Sequence, residues 1–242
     1  MELEGKNALI TGAAHRVGKA IALQLAREGC NIAVHYHGAA KEAELTLTEI
    51  RELAVQAHSY PADLRAIPAI QNLFNDVSKD FDRLDILINS AAIMQRIPFP
   101  EVSIDDWNAT IDLNLRAPFF CTQFAVELMG TEGGAIVNIS DIAGLQPWKD
   151  FPVHSISKNG IEMLTKLAAL EFAPKVRVNA VAPGPVLKPD HMTDQRWDQL
   201  GKDLPLGKPG DPMDVTQAIL FLLRNDYISG ESLSVDGGNQ LI

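Results

Sequence analysis

The sequence predicts an α/β fold, a doubly wound parallel sheet of about seven strands with helices on both faces. Three observations predict it. Short β-rich runs alternate along the whole chain with longer segments of helical periodicity. The strand candidates are mostly continuous apolar runs, the pattern of a sheet buried on both faces. A glycine turn, Thr11-Gly12-Ala13-Ala14-His15-Arg16-Val17-Gly18, stands between the first strand and the first helix. At 242 residues the chain can bury a sizeable core and reads as one domain over 1–242.

In chain order, Asn7–Thr11 is the first strand candidate and Arg16–Arg27 the first helix. Asn31–Tyr36 gives the second strand, with helical periodicity over Ala40–Ala54. Ala57–Tyr60 and Leu84–Ile88 are the third and fourth strands, separated by a helix over Ile67–Lys79. Ala135–Ile139 is the fifth strand, Pro152–Phe172 a long helix and Arg177–Val181 the sixth strand; Ser232–Val235 closes the sheet. One connection breaks the rhythm, from Pro183 to about Gly210, rich in Pro and Gly and carrying Trp197. A connection of that length in a compact α/β chain is usually functional or mobile. Beyond it, Asp211-Pro212 supplies an N-cap and a proline at the first helical position.

Composition excludes several classes. A net charge of −10 argues against nucleic acid or an anionic membrane as partner. Cys30 and Cys121 lie far apart in apolar runs and read as buried thiols in a reducing compartment. The start, Met1-Glu2-Leu3-Glu4-Gly5, lacks the basic and apolar segments of a signal peptide, and no apolar run approaches a membrane span, so the cytoplasm is expected. His35 and His37 project from one face of a strand, but no third ligand stands at a recognisable spacing, so no metal is expected.

The glycine turn carries chemistry. Gly12 permits the tight turn, small residues let the backbone approach a pyrophosphate, and the following helix N-terminus favours its charge. The second strand ends His35-Tyr36-His37-Gly38, with no Asp or Glu to take a ribose 2′-hydroxyl.

A second constellation lies downstream. In Phe151-Pro152-Val153-His154-Ser155-Ile156-Ser157-Lys158-Asn159-Gly160, His154 and Lys158 are four apart and share a helix face, and Asp141 precedes His154 by thirteen residues. This arrangement resembles the catalytic region of the short-chain dehydrogenase/reductase family, with histidine at the proton-donating tyrosine position and aspartate at the usual serine position. The resemblance extends over nearly the whole chain. The turn Gly12 to Gly18 is similar to the family's TGxxxGxG, with Arg16 at the middle glycine, as in the pteridine reductase branch. Pro61-Ala62-Asp63-Leu64 resembles the adenine-side turn, and Asn89-Ser90-Ala91-Ala92 the NNAG segment with two replacements. Asp112-Leu113-Asn114-Leu115 resembles the helix carrying the family's asparagine. Val178 to Gly184 and Ser234 to Gly238 are similar to the nicotinamide-side loop and the closing strand.

The resemblance implies a Rossmann fold and hydride transfer with a nicotinamide cofactor. NADP(H) is favoured, because Arg16, helped by Lys41, could take a 2′-phosphate; NAD(H) is possible, since Gly38 and Ala39 stand where the branch has a basic residue and a serine. Cofactor contacts are implied for Gly12, Arg16, Val17 and Gly18 in the turn, and for His35 and His37 at the strand end. Asp63, Leu64, Asn89 and Ala91 would continue the site, with Lys158 gripping the ribose and Pro183, Gly184 and Val186 on the nicotinamide side. The implied catalytic set is Asn114, Asp141, His154 and Lys158, with Asn114 supporting a water chain.

Three readings of His154 stay open: a His–Asp pair transfers the proton, the substrate needs little acid assistance, or the chain binds cofactor and turns over little. Met94, Trp148 and Leu187, with Phe151, suggest an apolar substrate cleft. A pterin-like or carbonyl compound is the expected small-molecule substrate, with a 3-oxoacyl group or small carbonyl as rival. Two pterin contacts are altered, to Ala92 and Met94. The resemblance also implies a substrate lid over about 183–210, with Trp197 closing it, and a homotetramer or homodimer through the helices beginning near Asp105 and Pro152.

Overall fold

The computed structural model describes residues 1–190 and 192–242. Its seven strands are β1 (Asn7–Ile10), β2 (Asn31–Tyr36), β3 (Ala57–Pro61), β4 (Ile86–Asn89), β5 (Gly134–Ile139), β6 (Val176–Pro183) and β7 (Ser232–Val235). They form one parallel sheet in the order β3-β2-β1-β4-β5-β6-β7. The chain order reverses between β1 and β4, the crevice position where open α/β sheets bind ligands.

The apolar runs are explained by two cores. In β1, Ala8 and Ile10 enter one core and Leu9 the other; in β4, Ile86 and Ile88 oppose Leu87. In the central strands both faces therefore meet a helix layer, so no polar alternation survives there. Helices α1 (Arg16–Arg27), α2 (Ala40–Arg51) and α8 (Pro212–Arg224) cover the first face through Ile21, Leu25, Leu47, Val215 and Leu222. On the other face α3 (Ile67–Asp80), α5 (Ala117–Met129) and α6 (Pro152–Phe172) contribute Ile70, Phe74, Cys121, Ala125 and Ala168. Each fully buried Leu or Ile contributes about 1.5–3 kcal/mol.

Most elements fall within a few residues of their expected bounds. β4 begins at Ile86 rather than Leu84, because the Asp85 carboxylate accepts the Asn7 amide at 3.0 Å and pairs with Arg83 and Lys6. Helix α4 (Ile104–Ile111) starts on a reciprocal Ser103–Asp106 capping box and runs into a π-turn at Asp112–Arg116. The connection expected as a long loop contains helix α7 (Asp194–Asp203), whose N-cap hydroxyl, Thr193, accepts the Arg196 amide. Leu204 is buried at its end. The lid reading at position 191 lies outside the described residues. Among those described, no helix is long and apolar enough to cross a membrane.

Candidate active site

A cleft of about 560 Å³ opens at the C-terminal ends of β1, β2 and β4. The glycine turn forms its floor. Gly12 has φ +68°, and a Cβ there would lie 3.0 Å from Ala91 Cα, so only glycine lets the turn pass beneath the β4 loop. A Cβ on Gly18 would meet the Gly12 carbonyl oxygen at 2.2 Å, which is why α1 can begin so close to β1. Arg16 holds a left-handed φ of +56°, a conformation that costs a non-glycine residue roughly 1–2 kcal/mol. Its guanidinium lies 3.7 Å from the Asp190 carboxylate. The α1 N-terminus has neither a capping side chain nor an acid in its first turn, so its free N–H groups and dipole suit an anion.

The two strand histidines part company. His37 is exposed, 4.0 Å from Asp63. His35 is buried: its Nδ1 accepts the Gly12 amide at 3.0 Å, and its Nε2 lies 3.0 Å from the Ala62 carbonyl. Burial lowers its pKa to about 4. Neither is placed with further ligands; among the described residues no group of three or more His, Cys, Asp or Glu could hold a metal. Asp63 accepts a bidentate Arg65 guanidinium, with Nε at 2.9 Å from Oδ1 and Nη2 at 2.8 Å from Oδ2, which lowers its pKa to about 2. Val17, Leu64 and Ala91 line the same cleft.

Asn89, Val186, Gly184 and Pro183, also expected at the cofactor, lie in the frame around the cleft. The Asn89 side chain is buried and donates to Asn138 Oδ1 at 2.9 Å, so only its successors Ser90 to Ile93 reach the cleft. Val186 packs into the core. Gly184 passes tightly against Asp236, where a Cβ would meet the Asp236 Cα at 2.8 Å; Pro183, ending β6, does not line the described cleft.

The second cluster is organised around the Ile93 backbone. Asn114, in the π-turn, accepts the Ile93 amide at 2.9 Å and donates to its carbonyl at 2.8 Å and to Ser157 Oγ at 3.2 Å. Its side chain is thus spent on holding the β4 loop against α6. His154 Nδ1 lies 3.3 Å from the same Ile93 carbonyl. A carbonyl only accepts, so Nδ1 carries the hydrogen. His154 Nε2 is buried without a hydrogen-bond partner, 3.5 Å from Asp141 Oδ2. Asp141 has two occupations: Oδ1 caps the short helix Ile142–Gly144 by accepting the Ala143 amide at 2.8 Å, and Oδ2 is left for His154.

Lys158 is buried and donates to the Ile139 carbonyl at 2.7 Å. Burial lowers its pKa to about 8, against the opposing pull of Asp141 and Glu162. A site of this kind can hold one transferable proton beside a cation in a dry setting.

The residues expected at the substrate do not line the described cleft. Met94 is half-exposed on the β4 loop, Leu187 is partly buried after β6, and Trp148 packs edge-on against Phe151 with centroids 6.0 Å apart. Trp197 is partly buried on α7 and does not line the described cleft. Not foreseen from the sequence was a clasp joining the segment after β4 to the start of α6, in which Arg96 pairs with Asp150 at 2.9 Å while Asp150 holds a left-handed φ of +67°. Glu162 was also missed, although it stands four residues beyond Lys158 and so one turn along the same face.

A family model described as enoyl-(acyl carrier protein) reductase matches residues 12–240. The chain is 34% identical to a 3-oxoacyl-[acyl-carrier-protein] reductase of Staphylococcus aureus, over 96% of this chain and 97% of that one. The Staphylococcus epidermidis enzyme of the same name is 33% identical over 96% and 98%. Among solved structures, a variant of a Serratia marcescens short-chain dehydrogenase/reductase superposes with a TM-score of 0.92 at 30% identity, covering 99% of this chain and 100% of that one. A dehydrogenase/reductase from Sinorhizobium meliloti gives 0.91 at 31% identity, covering 98% and 96%.

Proposed function

The chain belongs to the short-chain dehydrogenase/reductase family, and on that premise we propose that it is an NADP(H)-dependent reductase of a carbonyl or pterin-like C=N compound, with His154 and Asp141 supplying the proton. The observation that carries this is the 3.5 Å gap between His154 Nε2 and Asp141 Oδ2. With Nδ1–H committed to Ile93, a bare Nε2 lone pair would face a carboxylate oxygen in a buried site. One proton held between the two turns repulsion into a charge-assisted contact. On this reading that proton does the work that the family's tyrosine hydroxyl does.

The cleft suits a dinucleotide: a glycine turn that tolerates no Cβ, an uncapped helix N-terminus and Arg16 at its edge. Bound there, a nicotinamide cofactor would supply hydride. The His154–Asp141 pair would give its proton to the substrate oxygen or nitrogen as negative charge develops on that atom. Lys158 would bind the ribose and keep positive charge beside the pair, and Asn114 would hold Ile93, and through it His154, in register. Arg16 and the absence of a carboxylate at the end of β2 support the 2′-phosphate of NADP(H) over NAD(H).

A 3-oxoacyl thioester is a second reading, favoured by the two staphylococcal relatives. An assembly through α4 and α6 is also proposed, since Ile156, Met163, Leu167 and Leu170 form an exposed apolar stripe along α6.

The test is fluorescence titration with NADPH and NADH, then NADPH oxidation with pterins, small ketones and 3-oxoacyl thioesters. Tighter NADPH binding and turnover of at least one class are expected, with His154→Phe lowering turnover at least about 10²-fold. Failure to bind either nucleotide would refute the proposal. Tight binding without turnover favours a cofactor-sensing protein, in which His154→Tyr creates activity the parent lacks.

A further inference from the structure

We propose that His35 is a positioning residue of the cofactor turn: in its neutral form it fastens the Gly12 amide to the Ala62 carbonyl, and protonation at Nδ1 releases the turn together with its nucleotide. The inference rests on the reading of this cleft as a nucleotide site.

The geometry leaves His35 one tautomer. The Gly12 N–H can only donate, so Nδ1 must be a bare acceptor; the Ala62 carbonyl can only accept, so Nε2 must carry the hydrogen. The imidazole is thereby a strut between two walls of the cleft. One wall is the glycine turn, and the other is the end of β3, immediately before Asp63 and Leu64. The His35 backbone adds a third tie, its carbonyl accepting the Ala13 amide at 2.9 Å. Two consecutive amides of the turn thus depend on one residue of the neighbouring strand.

An imidazolium cannot fill this place. A proton on Nδ1 would face the Gly12 N–H, donor against donor, and the buried amide would lose its acceptor. Among the charged neighbours, His37 just beyond the strand opposes the charge, and Asp63, which favours it, is already paired with Arg65. Tyr60, beside His35 in β3, gives its hydroxyl to Asp80. Burial in this setting lowers the His35 pKa to about 4.

Two substitutions separate the ties. In His35→Asn the amide oxygen lies near the position of Nδ1 and can accept the Gly12 N–H, whereas in His35→Gln the amide nitrogen lies near Nε2 and can reach only Ala62. At pH 7, NADPH affinity is expected to stay within about threefold in His35→Asn and to weaken about tenfold in His35→Gln, the loss of one hydrogen bond at the turn. As pH falls toward 4, the wild-type affinity should fall more steeply than that of His35→Asn, which has no proton to take up.

Side-chain ¹⁵N NMR of the unaltered protein tests the tautomer without any variant. The expected result is neutral Nε2–H imidazole for His35 at pH 7, still neutral at pH 6. A charged ring or the Nδ1–H tautomer at pH 7 overturns the proposal, and so do two variants that bind alike. If the wild type binds no nucleotide, the reading of the cleft fails on its own, whatever the tautomer of His35.

Discussion

Lys158 is a cation in a dry interior, and Glu162 is the group whose removal should show what keeps it charged. Carboxylate and ammonium residues four apart on a helix have Cβ atoms about 6 Å apart. At that separation and an effective dielectric of about 20, their attraction is about 3 kcal/mol, or about two units of pKa, and relaxation leaves one to two. Glu162→Gln keeps the shape and removes the charge, so the Lys158 ammonium should lose its proton at lower pH. In the unaltered protein, nucleotide affinity and turnover should fall on the alkaline side near pH 8, where Lys158 becomes neutral. In Glu162→Gln that limb should move down by about one to two pH units, and Glu162→Asp should restore most of it. The measurement is nucleotide affinity and turnover across pH 6–10 for all three proteins. A limb that stays in place in Glu162→Gln, or moves to higher pH, would show that the carboxylate does not act on Lys158.

Other outcomes follow from the same geometry. Arg16→Gly relieves a left-handed residue worth roughly 1–2 kcal/mol but adds about 0.5–1 kcal/mol of unfolded-chain entropy, so stability should hold or rise slightly in urea titration. The same variant should lose its preference for NADPH over NADH in fluorescence titration. His35, with its folded pKa lowered to about 4 from 6.5, supports stability in full above about pH 6.5, and that support is lost as pH falls through 4; urea midpoints should decline over this window and decline less in His35→Asn. Leu167→Glu with Leu170→Glu should leave the far-ultraviolet circular dichroism unchanged and lower the mass seen by light scattering; an unchanged mass would remove α6 as the assembly face.

The sheet was legible because a buried parallel strand leaves a local mark. Ile32 to Val34 and Ile86 to Ile88 are apolar without alternation because both cores claim them, and the turn from Thr11 to Gly18 marks the entry to α1. The candidate cluster was legible as residue types at fixed spacing, His154 with Lys158 and Asp141 upstream. What pairs with what was not. The tie from Asn114 and His154 to the Ile93 backbone joins segments 21 and 61 residues apart, and a backbone carbonyl leaves no letter in the sequence. Helix α7 was hidden because its residues are largely polar and exposed, so no apolar stripe announces it. Asn89 and Val186 show the opposite limit: a family position names the residue, but the direction of its side chain is settled by packing.

His35 and His154 bring these points together. Both are buried imidazoles, and each is held at Nδ1 by a backbone group. At His35 that group is an N–H, which forces Nδ1 to accept and leaves Nε2–H satisfied by Ala62. At His154 it is a C=O, which forces Nδ1 to donate and turns an unsatisfied Nε2 toward Asp141. One ring is therefore closed on both sides and suited to structure, while the other has an open nitrogen beside a carboxylate and is suited to exchange a proton. The distinction lies in the polarity of a single peptide group contacting each ring, and composition or spacing cannot register it. Rotating the Ile93 peptide would reverse the His154 tautomer and leave His35 as it is. For that reason the three hydrogen bonds joining Asn114 and His154 to Ile93 bear on the proton chemistry as directly as His154 does.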